Sequence, residues 1–473
     1  MSKKHGIWLA SLLSFALAAQ EPRPAPDADP GEEAAPDPDA LIPGAVHERV
    51  AVKLDASQTY ALYLPSYFTP DQTWPILYCF SPGAQGSTPV NLYRAAAERF
   101  GWIVVGSNNA RNGPMEPVQA AIEALWKDTW TRFPIDPKRL YATGFSGGAR
   151  MAWAMALTRD KPFAGWLPCG AGYAAEMPPR EGLTFAVCGL AGRQDFNYDE
   201  LNRVERQLAG MGLRTRVLEF DGGHDWPPAS HATQAVRYMD LLARVRAGEA
   251  GGAAAQDLFQ EELADAKAML EDAHGMLAAH ARFAELTELG AGTPIQAEAR
   301  AALAALDARP GFKKEQLAAA RMAELRGELD ALTDPAARFE RALELYRLFL
   351  KEHSGTATAQ RVQESLDGLP EKMAFAARLL MRRKDYARAE EILQRALSVL
   401  QDPTLAYALA CAQARAGKKE AALASLDRAV KLGFGDGAHL QADEDLAALR
   451  GEAAYQKLVR ELASRAPVPA SKP

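Results

Sequence analysis

From residue 75 to residue 220 the chain alternates short apolar runs with stretches of helical period. The runs are Pro75-Ile76-Leu77-Tyr78-Cys79-Phe80, Trp102-Ile103-Val104-Val105, Leu140-Tyr141-Ala142-Thr143, Thr184-Phe185-Ala186-Val187-Cys188 and Arg216-Val217-Leu218-Glu219-Phe220. Glycine or a Ser-Pro-Gly or Asp-Gly-Gly turn closes each one. Short apolar runs bounded by turn residues predict strands of a covered sheet. Between them, Val118, Ile122, Leu125 and Trp126 recur at helical spacing, as do Leu201, Val204, Leu208 and Met211. Strand and helix in alternation predict an α/β fold, a mainly parallel sheet with helices on both faces. Crossovers should be right-handed, and ligands should bind beyond the carboxyl ends of the strands.

The second half has a different texture. All eight tryptophans precede residue 230, and the remainder is alanine-rich. Gly251-Gly252 marks the change, giving a domain over 44–249 and a separate all-α domain over 253–473. Phe259, Leu263, Ala266, Leu270, Ala273 and Leu277 keep a four-three rhythm, which predicts one helix in an antiparallel pair or short coiled coil. Asp334-Pro335 opens another helix, with Leu343, Tyr346 and Leu350 on one face. Ala377, Ala389, Leu393 and Ala396 recur as Ala410, Ala422, Leu426 and Ala429, an offset of 33. Over about 370–435 this resembles the tetratricopeptide repeat, whose small residues let two helices approach closely. Gly417 fits the turn between its helices, and Lys384 departs from it. Two copies are fewer than the usual three, so earlier helices must complete the stack. The resemblance implies a protein or peptide partner; an ordinary helical cover over one side of the first domain fits the pattern equally.

Before residue 44 the chain carries no core. Lys3, Lys4 and His5 precede an apolar run, Gly6 to Ala19, about 14 residues long. That is short of the roughly 20 needed to span a bilayer. Ala16-Leu17-Ala18 supplies a cleavage pattern, so 1–18 reads as a signal peptide and the chain as exported, periplasmic or secreted. The mature chain then has no membrane span. Residues 19–43, rich in Pro, Asp, Glu and Ala, read as a disordered linker. A formal charge of −6 gives no basic excess for nucleic acid. Four cysteines form no CxxC pair. Cys79, Cys169 and Cys188 fall on strands or their ends and read as buried thiols, with a Cys169–Cys188 bridge the alternative after export.

Chemistry appears at one strand end. Gly144-Phe145-Ser146-Gly147-Gly148 is a G-x-S-x-G pattern, with a strand before it and a small-residue helix, Ala149 to Leu157, after it. That context makes Ser146 a candidate nucleophile on a strained turn, rather than an incidental serine in a glycine-rich loop. The Gly147 amide then opens a helix and is a natural oxyanion donor. A serine needs a base. Of the domain's three histidines, His47 precedes the sheet, His231 lies in the last helical stretch, and His224 follows a strand through Gly222-Gly223. His224 is the candidate. Asp195, reached from the 184–188 strand through Gly189 to Gly192, is the candidate orienting carboxylate. Asp199 starts a helix and Asp225 adjoins the histidine, so both are rivals.

The stretch from about 60 to 228 resembles the α/β-hydrolase superfamily, near its secreted esterase and polyhydroxybutyrate-depolymerase-like branch. The matching pieces are Tyr63-Leu64-Pro65, Trp74-Pro75-Ile76-Leu77, Tyr141 to Gly148, Asp195 and Gly223-His224-Asp225-Trp226-Pro227. The resemblance implies Ser146 as nucleophile, His224 as base and then acid, and Asp195 as orienter. Relatives carry His-Gly after the third strand; here Phe80-Ser81-Pro82-Gly83-Ala84 stands there, and Pro82 has no N–H. Gly83 is then the second oxyanion donor, ahead of Ala84. Asn108, Asn109 and Asn112 sit after another strand, either lining the cleft or forming a plain polar loop. The expectation is an open cleft without a large lid. The chain is expected to be an exported serine hydrolase acting on carboxylic esters, oligomeric or polymeric ones included, with no metal or organic cofactor. An interaction scaffold with a weak or inactive hydrolase domain and a peptidase on the same fold are the alternatives.

Overall fold

Eight strands form one sheet: β1 (Val46–Val52), β2 (Asp55–Tyr63), β3 (Trp74–Phe80), β4 (Ile103–Ser107), β5 (Ile135–Phe145), β6 (Gly165–Cys169), β7 (Ala186–Gly192) and β8 (Thr215–Phe220). They were obtained from a computed structural model that describes residues 41–272, 275–332 and 335–463. The signal segment 1–18 and nearly all of the 19–43 linker lie outside the described residues. The strand order is β1-β2-β4-β3-β5-β6-β7-β8. β1 and β2 pair antiparallel, as do β2 and β4, and every other neighbouring pair is parallel. The sheet is mainly parallel, as the alternation of strand and helix predicts.

Five of these strands hold the apolar runs that the sequence pattern marks. β1, β2 and β6 lie outside them. β1 is half-exposed with Glu48 and Arg49 in its middle, the start of β2 is exposed and polar, and β6 carries Gly165 and Pro168 in a stretch of five residues.

Helices α1 (Ser87–Phe100), α2 (Met115–Arg132), α3 (Gly147–Thr158), α4 (Tyr198–Gly210) and α5 (Ala229–Arg246) follow β3, β4, β5, β7 and β8, and β6 leads to β7 without a helix. The period-2 alternation of a strand sends successive side chains to opposite faces. Leu77 and Cys79 of β3 therefore join Val90 and Tyr93 of α1 in one core. Tyr78 faces the other way, its ring 5.7 Å from that of Trp126 on α2.

The all-helical region begins with α6 (Ala253–Ala268), α7 (Met276–Leu289), α8 (Pro294–Asp307), α9 (Phe312–Asp330), α10 (Pro335–Glu352) and α11 (Ala357–Asp367). The apolar rhythm from Phe259 to Leu277 is not one helix. A Cβ on Gly275 would stand 1.6 Å from the Met269 carbonyl oxygen, so the chain passes itself closely there and restarts as α7. The core does not end at the last strand. Leu258, Phe259 and Leu263 of α6, Phe283 and Leu286 of α7, and Phe312 belong to the same apolar cluster as Tyr238, Leu241 and Leu242 of α5.

A buried ion network ties the same elements. Arg216 on β8 reaches Glu262 of α6 and Glu285 of α7, each at 2.6 Å, and lies 3.5 Å over the Tyr238 ring. Arg237 of α5 shares Glu262 at 2.9 Å.

Further on, α12 (Leu369–Arg382) with α13 (Tyr386–Leu400) and α14 (Pro403–Arg415) with α15 (Lys419–Leu432) make two helical hairpins. All eight positions of the 33-residue repeat are fully buried, at 0% exposure. Each hairpin turns on a left-handed residue, Lys384 at φ 63° and Gly417 at φ 78°. In both, the next residue's amide reaches back five positions, Asp385 to Leu380 and Lys418 to Gln413. That is the Schellman closure of a helix end.

Candidate active site

The G-x-S-x-G stretch is the turn from β5 into α3. A Cβ on Gly144 would meet the Gly148 carbonyl at 2.3 Å, and one on Gly148 would meet the Phe80 carbonyl oxygen at 2.1 Å. Strand, turn and helix close on one another only because both positions lack side chains. Ser146 pays for that closure with φ 54° and ψ −119°, a left-handed backbone costing an L-residue about 1–3 kcal/mol. Its amide donates to the Cys169 carbonyl of β6 at 2.9 Å, which holds the turn to the sheet.

Two loops at the same sheet edge bring the other groups. A Cβ on Gly192 would lie 2.4 Å from the Gly222 and 2.5 Å from the Gly223 carbonyl oxygens, so the loops after β7 and β8 run backbone to backbone. Arg193 N–H donates to Phe220 and Gln194 N–H to Gly222, at 2.9 and 3.0 Å. This zipper sets Asp195 against His224. Nδ1 of His224 lies 2.9 Å from Oδ1 and 3.0 Å from Oδ2 of Asp195. Nε2 lies 3.0 Å from Ser146 Oγ.

Asp195 is 1% exposed and its Oδ1 also accepts from the Asn197 amide at 2.7 Å. A carboxylate only accepts, so Nδ1 carries the hydrogen and Nε2 is left to accept from the serine hydroxyl. The imidazole packs against two rings, Phe145 at 4.6 Å and Phe196 at 4.1 Å between ring centroids. Phe196 in turn stacks on Phe375 of α12 at 4.1 Å and 28°.

The rivals lie elsewhere. His47 sits on β1, paired in the edge ladder with Leu62. His231 is on α5 beside Phe220, and burial lowers its pKa. Asp199 occupies the first turn of α4 and faces Lys372 at 3.8 Å. Asp225 is exposed, with its carboxylate accepting from the adjacent Trp226 amide.

Gly147 is the first residue of α3, beside Ser146. In the loop after β3, Ala84 N–H closes a turn onto the Ser81 carbonyl at 3.1 Å, while Gly83 is exposed and its amide has only a 3.4 Å contact with Ser81 Oγ. Of these two amides, Gly83 is the one not committed to a turn.

The asparagine loop divides. Asn108 accepts from the Gly86 amide and Asn109 from the Thr59 amide, so both brace backbone. Asn112 instead lies against the nucleophile turn: a Cβ on Gly147 would meet its Oδ1 at 1.8 Å. Asn112, one of the asparagines expected either to line the cleft or to form a plain polar loop, borders the site. Phe196 and Phe375 border it too, and they carry no local signal in the sequence.

The thiols of Cys79, Cys169 and Cys188 are free and buried. Burial pushes Cys169 and Cys188 each up to about 12.

No family profile matches the chain, and no curated protein does. Among solved structures it is similar to S-formylglutathione hydrolase from Staphylococcus aureus, at 17% identity over 39% of this chain and 92% of that one, TM-score 0.33. It is also similar to a hyperthermophilic esterase from Pyrobaculum calidifontis, at 12% identity over 42% and 87%, TM-score 0.35. A third is the esterase LipW from Mycobacterium marinum, at 19% identity over 42% and 81%, TM-score 0.33.

Proposed function

We propose that this chain is a serine hydrolase that cleaves carboxylic esters through an acyl-enzyme. One observation carries the reading: Ser146 Oγ, His224 and the buried Asp195 stand in a continuous line of hydrogen-bond distances, 3.0 and 2.9 Å. Ser146 Oγ attacks the ester carbonyl as His224 Nε2 takes its proton. Asp195 keeps the imidazole in the accepting tautomer and offsets the charge of the imidazolium. The amides of Gly147 and Gly83 hold the oxyanion. His224 then gives the proton to the departing alcohol oxygen, and water, activated the same way, clears the acyl group.

The cysteines offer no rival nucleophile, because burial pushes each thiol well above its ordinary value, Cys169 and Cys188 to about 12, and leaves almost no thiolate near neutrality. We also read 1–18 as an export signal and the 33-residue repeat as tetratricopeptide-like. The latter reading is supported by eight small or apolar positions that share one buried pattern.

The test is labelling with a fluorophosphonate probe beside a short-chain aryl ester assay. Wild-type protein should label and turn over, and Ser146→Ala should do neither. Well-folded wild-type protein that neither labels nor turns over would move the reading to an interaction scaffold.

A further inference from the structure

The helical half reaches the candidate site through α12. Phe375 on α12 stacks on Phe196, and Phe196 packs on the His224 imidazole, each pair 4.1 Å between centroids. Neither phenylalanine is fully buried, so part of the stack that packs on His224 is open to solvent. α12 and the preceding α11 are held there by ion pairs, Lys372 with Asp199 at 3.8 Å and Arg361 with Glu219 at 3.7 Å. Glu219 also accepts from Tyr198, three residues beyond Asp195, at 2.5 Å.

We propose that the Phe196–Phe375 stack is the leaving-group subsite of this centre and selects esters of alcohols that carry an aromatic ring. The inference rests on the ester-hydrolase reading and adds the substrate class. Its logic is positional. In acylation the bond from Ser146 Oγ to the carbonyl carbon forms, the bond from that carbon to the alcohol oxygen breaks, and the serine proton passes through His224 to that oxygen. The departing alcohol therefore lies on the imidazole's side of the scissile bond. The rings packed around that imidazole are the surface its substituent meets. An aromatic substituent stacks on such rings, whereas a short alkyl group covers little of them.

The experiment compares kcat/KM for 2-phenylethyl acetate and ethyl acetate. Both release a primary alcohol, so the acyl group and the chemistry match. Wild-type protein should prefer the phenylethyl ester, and Phe375→Ala should lower that preference about tenfold. Phe375→Trp should retain it, and serves as the second variant where the alanine form does not fold. Leu379→Ala, an exposed change on the same helix, should leave the preference as it is.

An unchanged ratio in Phe375→Ala overturns the subsite, even if both rates fall together. So does a wild-type enzyme without preference. If the fluorophosphonate labels Ser146 while the ratio stays flat, the subsite alone is wrong. If wild-type Ser146 does not label, the ester-hydrolase reading fails and takes the subsite with it.

Discussion

Asp195 decides which nitrogen of His224 carries the hydrogen. It is buried and has no donor role while ionised, so the imidazole must present Nδ1–H to it. Asp195→Asn keeps the shape and offers the wrong polarity. The account predicts a fall in kcat of about 10⁴ with little change in KM, measured on an aryl ester.

His231 makes a separate prediction at this scale. Burial lowers its pKa, so the folded protein holds it neutral where the unfolded chain takes up a proton. The unfolded state then binds more protons once the pH drops below about 6.5. Stability is whole above that value and is lost as pH falls towards the folded pKa. Urea midpoints should decline from pH 7 to pH 5, and His231→Gln should flatten that decline.

Ser146, Asp195 and His224 could be picked out from the sequence because each follows an apolar run through glycine. Such local punctuation survives without any three-dimensional information. Phe375 could not, because it reaches the site through a contact between distant segments.

Strands were legible where an apolar run ends in a glycine-containing turn. The five strands with such runs stood out, while the half-exposed β1 and β2 did not, and neither did β6, which is buried throughout but only five residues long with Gly165 and Pro168 in it. The break between α6 and α7 escaped detection for another reason. The apolar rhythm continues through it, although α6 stops at Ala268 and Gly275, which passes close to Met269, starts the next helix.

The hairpin turns give an element-scale test. Lys384 holds the left-handed position that Gly417 fills in the next copy. An L-residue there costs about 1–2 kcal/mol, against which glycine loses more chain entropy on folding. Lys384→Gly should therefore stabilise the protein by about 0.5–1 kcal/mol, read from the shift in urea midpoint.

Removing one carboxylate from the β8–α6–α7 network should act in the opposite direction. Glu262→Ala leaves Arg216 and Arg237 without their shared partner in a buried setting. A loss of about 3–5 kcal/mol in unfolding free energy is expected.

The whole molecule is less divisible than its composition suggests. Tryptophan and alanine usage change near residue 250, yet the apolar cluster that begins on the sheet continues to Phe312. Composition reports the kind of element being built and not where a core closes, so this continuity was invisible in the sequence. A chain ending at residue 249 would uncover the α5 face against which Leu258, Phe259 and Phe283 pack. It would also strip Arg216 of both carboxylates. Such a chain should aggregate or unfold without a cooperative transition, checked by size exclusion and thermal melting. A soluble, cooperatively folding fragment would show that the helices are dispensable to the sheet.

The central claim is that Ser146 carries the acyl group during turnover. Its most direct test is to quench the reaction with an aryl ester in acid and map the peptides by mass spectrometry. The account predicts one acyl group on the peptide holding Ser146, absent from Ser146→Ala and accumulating in His224→Ala no faster than in buffer. Turnover in wild-type protein with an acyl group on another residue, or undiminished turnover in Ser146→Ala, would contradict it.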